Sequence, residues 1–385
     1  VNAMQKLLPI NLNIPYFFRG WEAVRLPVIL YNLRNYNWFI DKFNSIVMDT
    51  DFNISYCFWD SLERLRIYDD ILDYTRLIAH NPKNLVETII ETVNQNQYVI
   101  AVLDPSRMGC SPHYQKNRGL IDTLVFGYDS DEDSFYLIDI EIKDLSQGYV
   151  KVSYQDFIAG FFSAYDFLRS FPYGDEDCDF RTIGYLIQKG PLTAYAVRDK
   201  NFESNLPNFY WELKKNLYGG EFTVKKYDDR KINYNSNEKH IYFKTIDKRS
   251  IGVSVYQRYY ETLREMVLSD GPAVLGYPLL TWGVKSLSLI KSILSDELVY
   301  LDEQGLIHVE PEIIDENNNL CKTLYTCFMM LARYKRTNDL KYFQEFCDTM
   351  KHIEEMDIRL LSNLCKTLYE QINTHYLPGI EVMAP

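Results

Sequence analysis

The first half of the chain alternates short apolar runs with breaker-rich connections. Tyr98 to Asp104 (YVIAVLD) is continuous, β-branched and short, the pattern of a buried strand. Pro105 to Gly119 collects breakers and reads as a loop. Thr123 to Phe126 and Phe135 to Ile138 flank an acidic turn and predict a β-hairpin. Gly148 to Ser153 predicts another strand, as do RTIGYLIQ and AYAV further on. Two helices precede these strands. One covers Trp21 to Arg34, with Val24, Val28 and Tyr31 on one face and Pro27 either bending it or marking a first turn. The other covers Asn84 to Gln95. A further helix starts at Ser153, because Asp156 three residues later makes the aspartate form of a capping box.

Beyond residue 200 the period changes. NFYWELKKNLYGG is helical, and Lys225 to His240 is polar enough to be an exposed loop. From about Ser250 the pattern is mainly helical. One helix carries Val255, Tyr259, Leu263 and Met266 on a face; another carries Leu340, Phe343, Phe346, Cys347, Met350 and Ile353. The string NLCKTLY occurs at Asn319 to Tyr325 and again at Asn363 to Tyr369. Two copies do not make a solenoid. Both read as core-facing helical segments, with Cys321 and Cys365 as buried thiols. These patterns predict an α+β protein: residues 1–200 with a largely antiparallel sheet, and a mainly helical domain over residues 201–385.

Composition narrows the function classes. The 385 residues carry 41 basic and 53 acidic side chains, a formal net charge of −12. That argues against nonspecific nucleic-acid binding, which needs basic surface to displace counterions, and against an anionic membrane surface. No apolar run reaches the roughly 18 residues of a membrane span. The opening VNAMQKLLPINLN lacks the pattern of a signal peptide, so a cytoplasmic location with reduced thiols is expected. The seven cysteines and six histidines are scattered without ligand spacing, so no metal site and no cofactor is expected.

Asp122 stands directly before the first hairpin run, an unusual place for an acid. The order of a buried strand (VIAVLD), a polar loop, DTLVFGYDSDEDSFYLID and YVKVSYQDF resembles the N-terminal domain of the butirosin biosynthesis protein H family, which is similar to papain-like cysteine peptidases. GWEAVRLPVIL resembles that family's nucleophile helix, and YYETLREMVL with the helices after Asn319 resembles its helical C-terminal domain. The resemblance implies a papain-like fold over residues 1–200. It also implies a thiol at the first helix's start attacking an acyl thioester, a histidine base at the hairpin, and an Asp or Asn orienting it. Such a thiol needs a base and benefits from the helix N-terminus.

Two of these three positions depart from the pattern. The nucleophile position falls on Gly20, or at the furthest on Arg19, and the histidine position falls on Asp122; only Asp139 matches. The resemblance therefore implies a catalytically degenerate acyltransferase homologue. It would act as an accessory or binding protein in nonribosomal-peptide-type biosynthesis and recognise a carrier protein's phosphopantetheine-linked acyl or peptidyl group. Gly20, Trp21, Arg19 and Arg118 would border the binding site. Arg19, Arg25, Lys116, Arg118, Lys248 and Arg249 are the candidates for a basic docking patch.

Alternatives stay open. Cys110 and His113 could form a substitute dyad. Asp122 with Glu22 could form a carboxylate pair in which one acid is held protonated. Asp122 could also simply cap a strand or pair with Arg118, and Arg19 and Arg118 are its nearest partners by sequence.

Overall fold

A computed structural model describes residues 5–13, 20–49, 54–55, 67–116, 119–138, 148–170, 191–228, 243–276 and 278–376. In chain order the elements are β1 (Gln5–Leu7), α1 (Gly20–Ala23), α2 (Leu26–Ile29), α3 (Tyr36–Lys42), β2 (Val47–Met48) and β3 (Ile54–Ser55). Then come β4 (Leu72–Arg76), α4 (Pro82–Asn94), β5 (Tyr98–Leu103), β6 (Ile121–Asp129), β7 (Ser134–Ile138), β8 (Val150–Ser153), α5 (Tyr154–Ser170) and β9 (Leu192–Val197). The remainder is α6 (Leu206–Tyr218), β10 (Gly220–Asp228), β11 (Phe243–Ile251), α7 (Ser254–Asp270), α8 (Pro278–Glu303), α9 (Pro311–Thr337) and α10 (Leu340–Tyr376). The class is α+β.

The chain forms two units. The first gathers the described residues within 1–36, 59–202 and 229–243, and the second those within 37–58, 203–228 and 244–385. The later boundary falls near residue 200, but the chain crosses between units more than once. Strand pairing explains why 37–58 groups with the second unit. β2 pairs antiparallel with β11 through Val47↔Ile251 and Met48↔Ser250. Buried Asn216 fastens the same segment, accepting from the Ile46 amide at 3.0 Å and donating to the Asn44 carbonyl at 2.6 Å.

In the first unit a seven-stranded sheet runs in the order β4-β9-β5-β6-β7-β8, with β1 added against β6. Every described pairing in it is antiparallel. β5 and β7 are buried at every position, so both faces of the sheet centre are covered. α4 and α5 pack against β5. The hairpin forms as its pattern predicts, closed by Asp129, whose Oδ1 accepts from the amides of Asp131 and Glu132. The Ser153 hydroxyl caps α5 by accepting from the Asp156 amide at 3.1 Å. The predicted strand RTIGYLIQ lies outside the described residues.

The helix predicted over Trp21 to Arg34 is broken. Proline offers no N–H, and its ring clashes with the carbonyl four residues back. For Pro27 that residue is Ala23, where α1 stops. Pro27 instead sits in the first turn of α2, and Tyr31 lies past its end, exposed. The predicted loop from Lys225 begins as strand, since β10 continues to Asp228.

In the second unit β10, β11, β2 and β3 form a four-stranded sheet in the order β10-β11-β2-β3. α9 packs between α8 and α10, and α10 also meets α6 and α7. The helical period holds with shifts at two ends: Val267 rather than Met266 completes the buried face of α7, and Leu340 at the start of α10 is exposed. Leu320, Leu324, Cys327, Leu364 and Leu368 are buried as the repeated string predicts, while Cys321 is only half-buried. The core also holds charge. The Lys291 ammonium meets Asp357 Oδ1 at 2.5 Å, and the Tyr256 hydroxyl donates to Asp357 Oδ2 at 2.9 Å, all three side chains buried.

One glycine is fixed by close approach. A Cβ on Gly127 would lie 2.5 Å from the Lys6 carbonyl oxygen, where β1 crosses β6. Gly127→Ala should cost about 1–3 kcal/mol by forcing β1 off the sheet, measured as a lowered midpoint in urea denaturation. A midpoint equal to wild type would show that β1 contributes nothing there.

Candidate functional site

Register decides which side chains meet at Asp122. Residues directly opposite in an antiparallel pair share a face, and faces alternate along each strand. Asp122 pairs with Val102, Ile100 with Thr193, Tyr98 with Tyr195, and Tyr195 with Tyr74. Asp122, Tyr98, Tyr195 and Tyr74 therefore share one face. The α1–α2 segment covers it: α1 packs on β6, and the Tyr195 hydroxyl donates to the Val24 carbonyl at 2.7 Å. The Tyr98 hydroxyl donates to the Pro9 carbonyl.

The turn between α1 and α2 aims Arg25 inward. Its side chain is buried, with Nη1 3.9 Å from Asp122 Oδ2. Its Nε donates to the Tyr74 hydroxyl at 3.3 Å, and its guanidinium carbon lies 5.5 Å from the centre of the Tyr68 ring. Glu22, on α1, is also fully buried. Asp122 Oδ1 has no hydrogen-bond partner among the described residues.

Two opposed effects act on the Asp122 carboxyl. Burial disfavours the anion, and the Arg25 charge favours it. At 3.9 Å the guanidinium does not hydrogen-bond the carboxylate, so burial wins and the pKa is pushed up from 3.8 to about 6. The acid is a weak proton donor below that pH and a buried anion above it.

The other sequence candidates distribute as follows. Gly20 is the first residue of α1, and Trp21 follows it. Arg19, Arg118 and Asp139 lie outside the described residues. Among the described residues, Arg25 faces Asp122. Cys110 and His113 sit half-buried in the loop before β6, where the His113 amide donates to the Ser111 hydroxyl at 3.1 Å. The docking patch also thins. Arg25 and Arg249 are buried, and the exposed Lys248 is paired with Glu221. Lys116 is exposed.

Sequence reasoning missed Arg25 as a site residue. The available signal was its place inside an otherwise apolar stretch, AVRLPVIL, where a charge must either turn outward or be paired. The described thiols on the helices of the second unit are held as neutral thiols. Burial pushes Cys347 and Cys365 up to about 11 and Cys321 upward as well, which suppresses the thiolate. Among the described residues no group of three or more His, Cys, Asp or Glu side chains could hold a metal ion, and no helix is long and apolar enough to cross a membrane. No protein-family model matches the chain, and no curated protein matches it significantly.

Because the folded pKa of Asp122 lies above its unfolded value, its contribution to stability is fullest below about pH 4 and is lost as pH rises through about 6. Two pKa units correspond to about 3 kcal/mol. Relative to Asp122→Asn, wild type should lose about that much unfolding free energy between pH 4 and 7.5, read from urea denaturation at each pH. Parallel stability profiles for the two proteins would refute a buried, protonatable Asp122.

Proposed function

We propose that the first unit is a catalytically degenerate acyltransferase-like domain that binds an acyl group without transferring it through a thiol. The observation that carries this reading is the pairing at the α1–β6 junction. The resemblance expects a thiol and an imidazole there; the chain has Gly20 and a buried Asp122 held beside Arg25. Glycine has no group to attack with, and a carboxylate 3.9 Å from a guanidinium does not activate a thiol as an imidazole does. The packing of α1 on β6 supports the reading, since the resemblance brings these two elements together.

In the finer form of the proposal, the acyl or peptidyl group arrives on the phosphopantetheine arm of a carrier protein in a nonribosomal-peptide-type assembly line. Carrier proteins are generally acidic, and this chain is acidic too, so docking would depend on local basic residues such as Lys116. A second reading is favoured by one observation, the raised pKa of Asp122. A carboxyl that titrates near 6 could guide direct aminolysis of a thioester, which is already activated.

Incubation with a small acyl thioester such as acetyl-S-N-acetylcysteamine, followed by intact-mass measurement, distinguishes these readings. Wild type should form no adduct and show little turnover. Gly20→Cys combined with Asp122→His should gain an acyl adduct that peptide mapping places on residue 20. A folded double variant without the adduct would count against the acyl-binding reading. Rapid wild-type turnover abolished by Asp122→Asn would favour aminolysis, and turnover abolished by Cys110→Ala or His113→Ala would move the chemistry to that loop.

A further inference from the structure

A second feature of the first unit, lined by residues other than those around Asp122, is a cavity of about 490 Å³ between the turn that follows β5 and the helix α5. Ser106, Arg107, Tyr114, Gln115, Ser163 and Asp166 line it. Its chemistry is set from below by Asp104, which is fully buried at the end of β5. Asp104 Oδ1 accepts from the Ser106 amide at 3.0 Å and from the Ser106 hydroxyl at 2.6 Å. Its Oδ2 accepts from the Ser163 hydroxyl at 2.7 Å. These hydrogen bonds hold the acid in its charged form, with its pKa below the ordinary value despite burial.

A hydroxyl has one proton to give. Both serine protons are committed to Asp104, so at the cavity wall each serine acts as an acceptor. The Asp166 carboxylate adds acceptor oxygens, the exposed Tyr114 ring adds a half-apolar platform, and Arg107 and Gln115 add donors. Gln115 takes a positive φ of 58°, uncommon for a residue with a side chain. Its amide donates to the Ser106 carbonyl at 2.9 Å, which fixes it at the wall.

From this combination we propose that the cavity is a binding site for a neutral polyhydroxylated ligand of monosaccharide size. Such a molecule both donates and accepts through its hydroxyls, so adjacent hydroxyls donate to Asp166 and the serines while others accept from Arg107 and Gln115. Its C–H face rests on the Tyr114 ring. The volume lies within the range of small-ligand sites. A polycation fits less well, because Arg107 opposes it, and a simple anion is opposed by Asp166 and by the charge on Asp104.

The test is saturation-transfer difference NMR on the full chain, with methyl β-D-glucopyranoside and myo-inositol as probes and spermidine as the cationic control. At least one of the two polyols should receive saturation at millimolar concentration, and spermidine should not displace it. Tyr114→Ala and Asp166→Asn alter exposed side chains and leave the Asp104 hydrogen bonds intact. Each should weaken polyol binding at least tenfold, with an unchanged thermal melt confirming the fold. Absence of transfer to both polyols, unchanged binding in both variants, or displacement by spermidine would each overturn the proposal. None of these outcomes bears on thioester chemistry at Asp122.

Discussion

A guanidinium does not give up its proton inside a protein, so a buried arginine obliges its surroundings to accommodate a full charge. Arg25 imposes this condition on the first unit. The accommodation begins with the chain itself: Pro27 stops α1 at Ala23, and the turn that follows brings Arg25 over the sheet. Tyr195 holds that turn through the Val24 carbonyl, Tyr74 accepts from the guanidinium, the Tyr68 ring lies beside it, and Asp122 supplies countercharge. The face of the sheet on which these groups meet is decided by strand register. A slip of one residue in β6 would turn Asp122 away and leave the arginine without its carboxylate.

Three buried acids in this protein show how partner distance decides the state of a carboxyl. Asp104 accepts from an amide and two hydroxyls at 2.6 to 3.0 Å, and its pKa lies below the ordinary value. Asp122 sees a charge at 3.9 Å and makes no hydrogen bond to it, so its pKa rises to about 6. Glu297, fully buried in α8, has neither oxygen hydrogen-bonded among the described residues, and its pKa is raised well above the ordinary carboxylate value. Burial alone therefore does not tell whether an acid is charged; the nearest donor does.

The elements of the fold were legible where local pattern and tertiary packing agree. The β5 strand, the hairpin, the Ser153 cap and the long helices all follow from period and capping chemistry. The α1–α2 break was foreshadowed by Pro27, but its consequence was not, because apolar spacing alone continues through Arg34. The site was half legible. Asp122 drew notice as an acid before an apolar run, whereas Arg25 looked like surface charge, since a sequence does not reveal which charges a sheet face will cover. The crossing of residues 37–58 into the second unit had no local signature at all. It depends on β11 and on Asn216, both far along the chain.

That long-range pairing shapes how the protein is made. Val47 meets Ile251 only after about 200 further residues have been synthesised. At ribosomal rates of about 5–20 residues per second, the interval is about 10–40 s. During it, the apolar side chains of Val47, Met48 and Ile54 exist without the strand that will cover one edge of their sheet, while most of the first unit's strands have already emerged. Nascent chains of this protein thus pass through a period in which one unit has most of its sequence available and the other has only α3 and the β2–β3 pair with β11 still to come, the stage at which a holdase chaperone would find the most to bind.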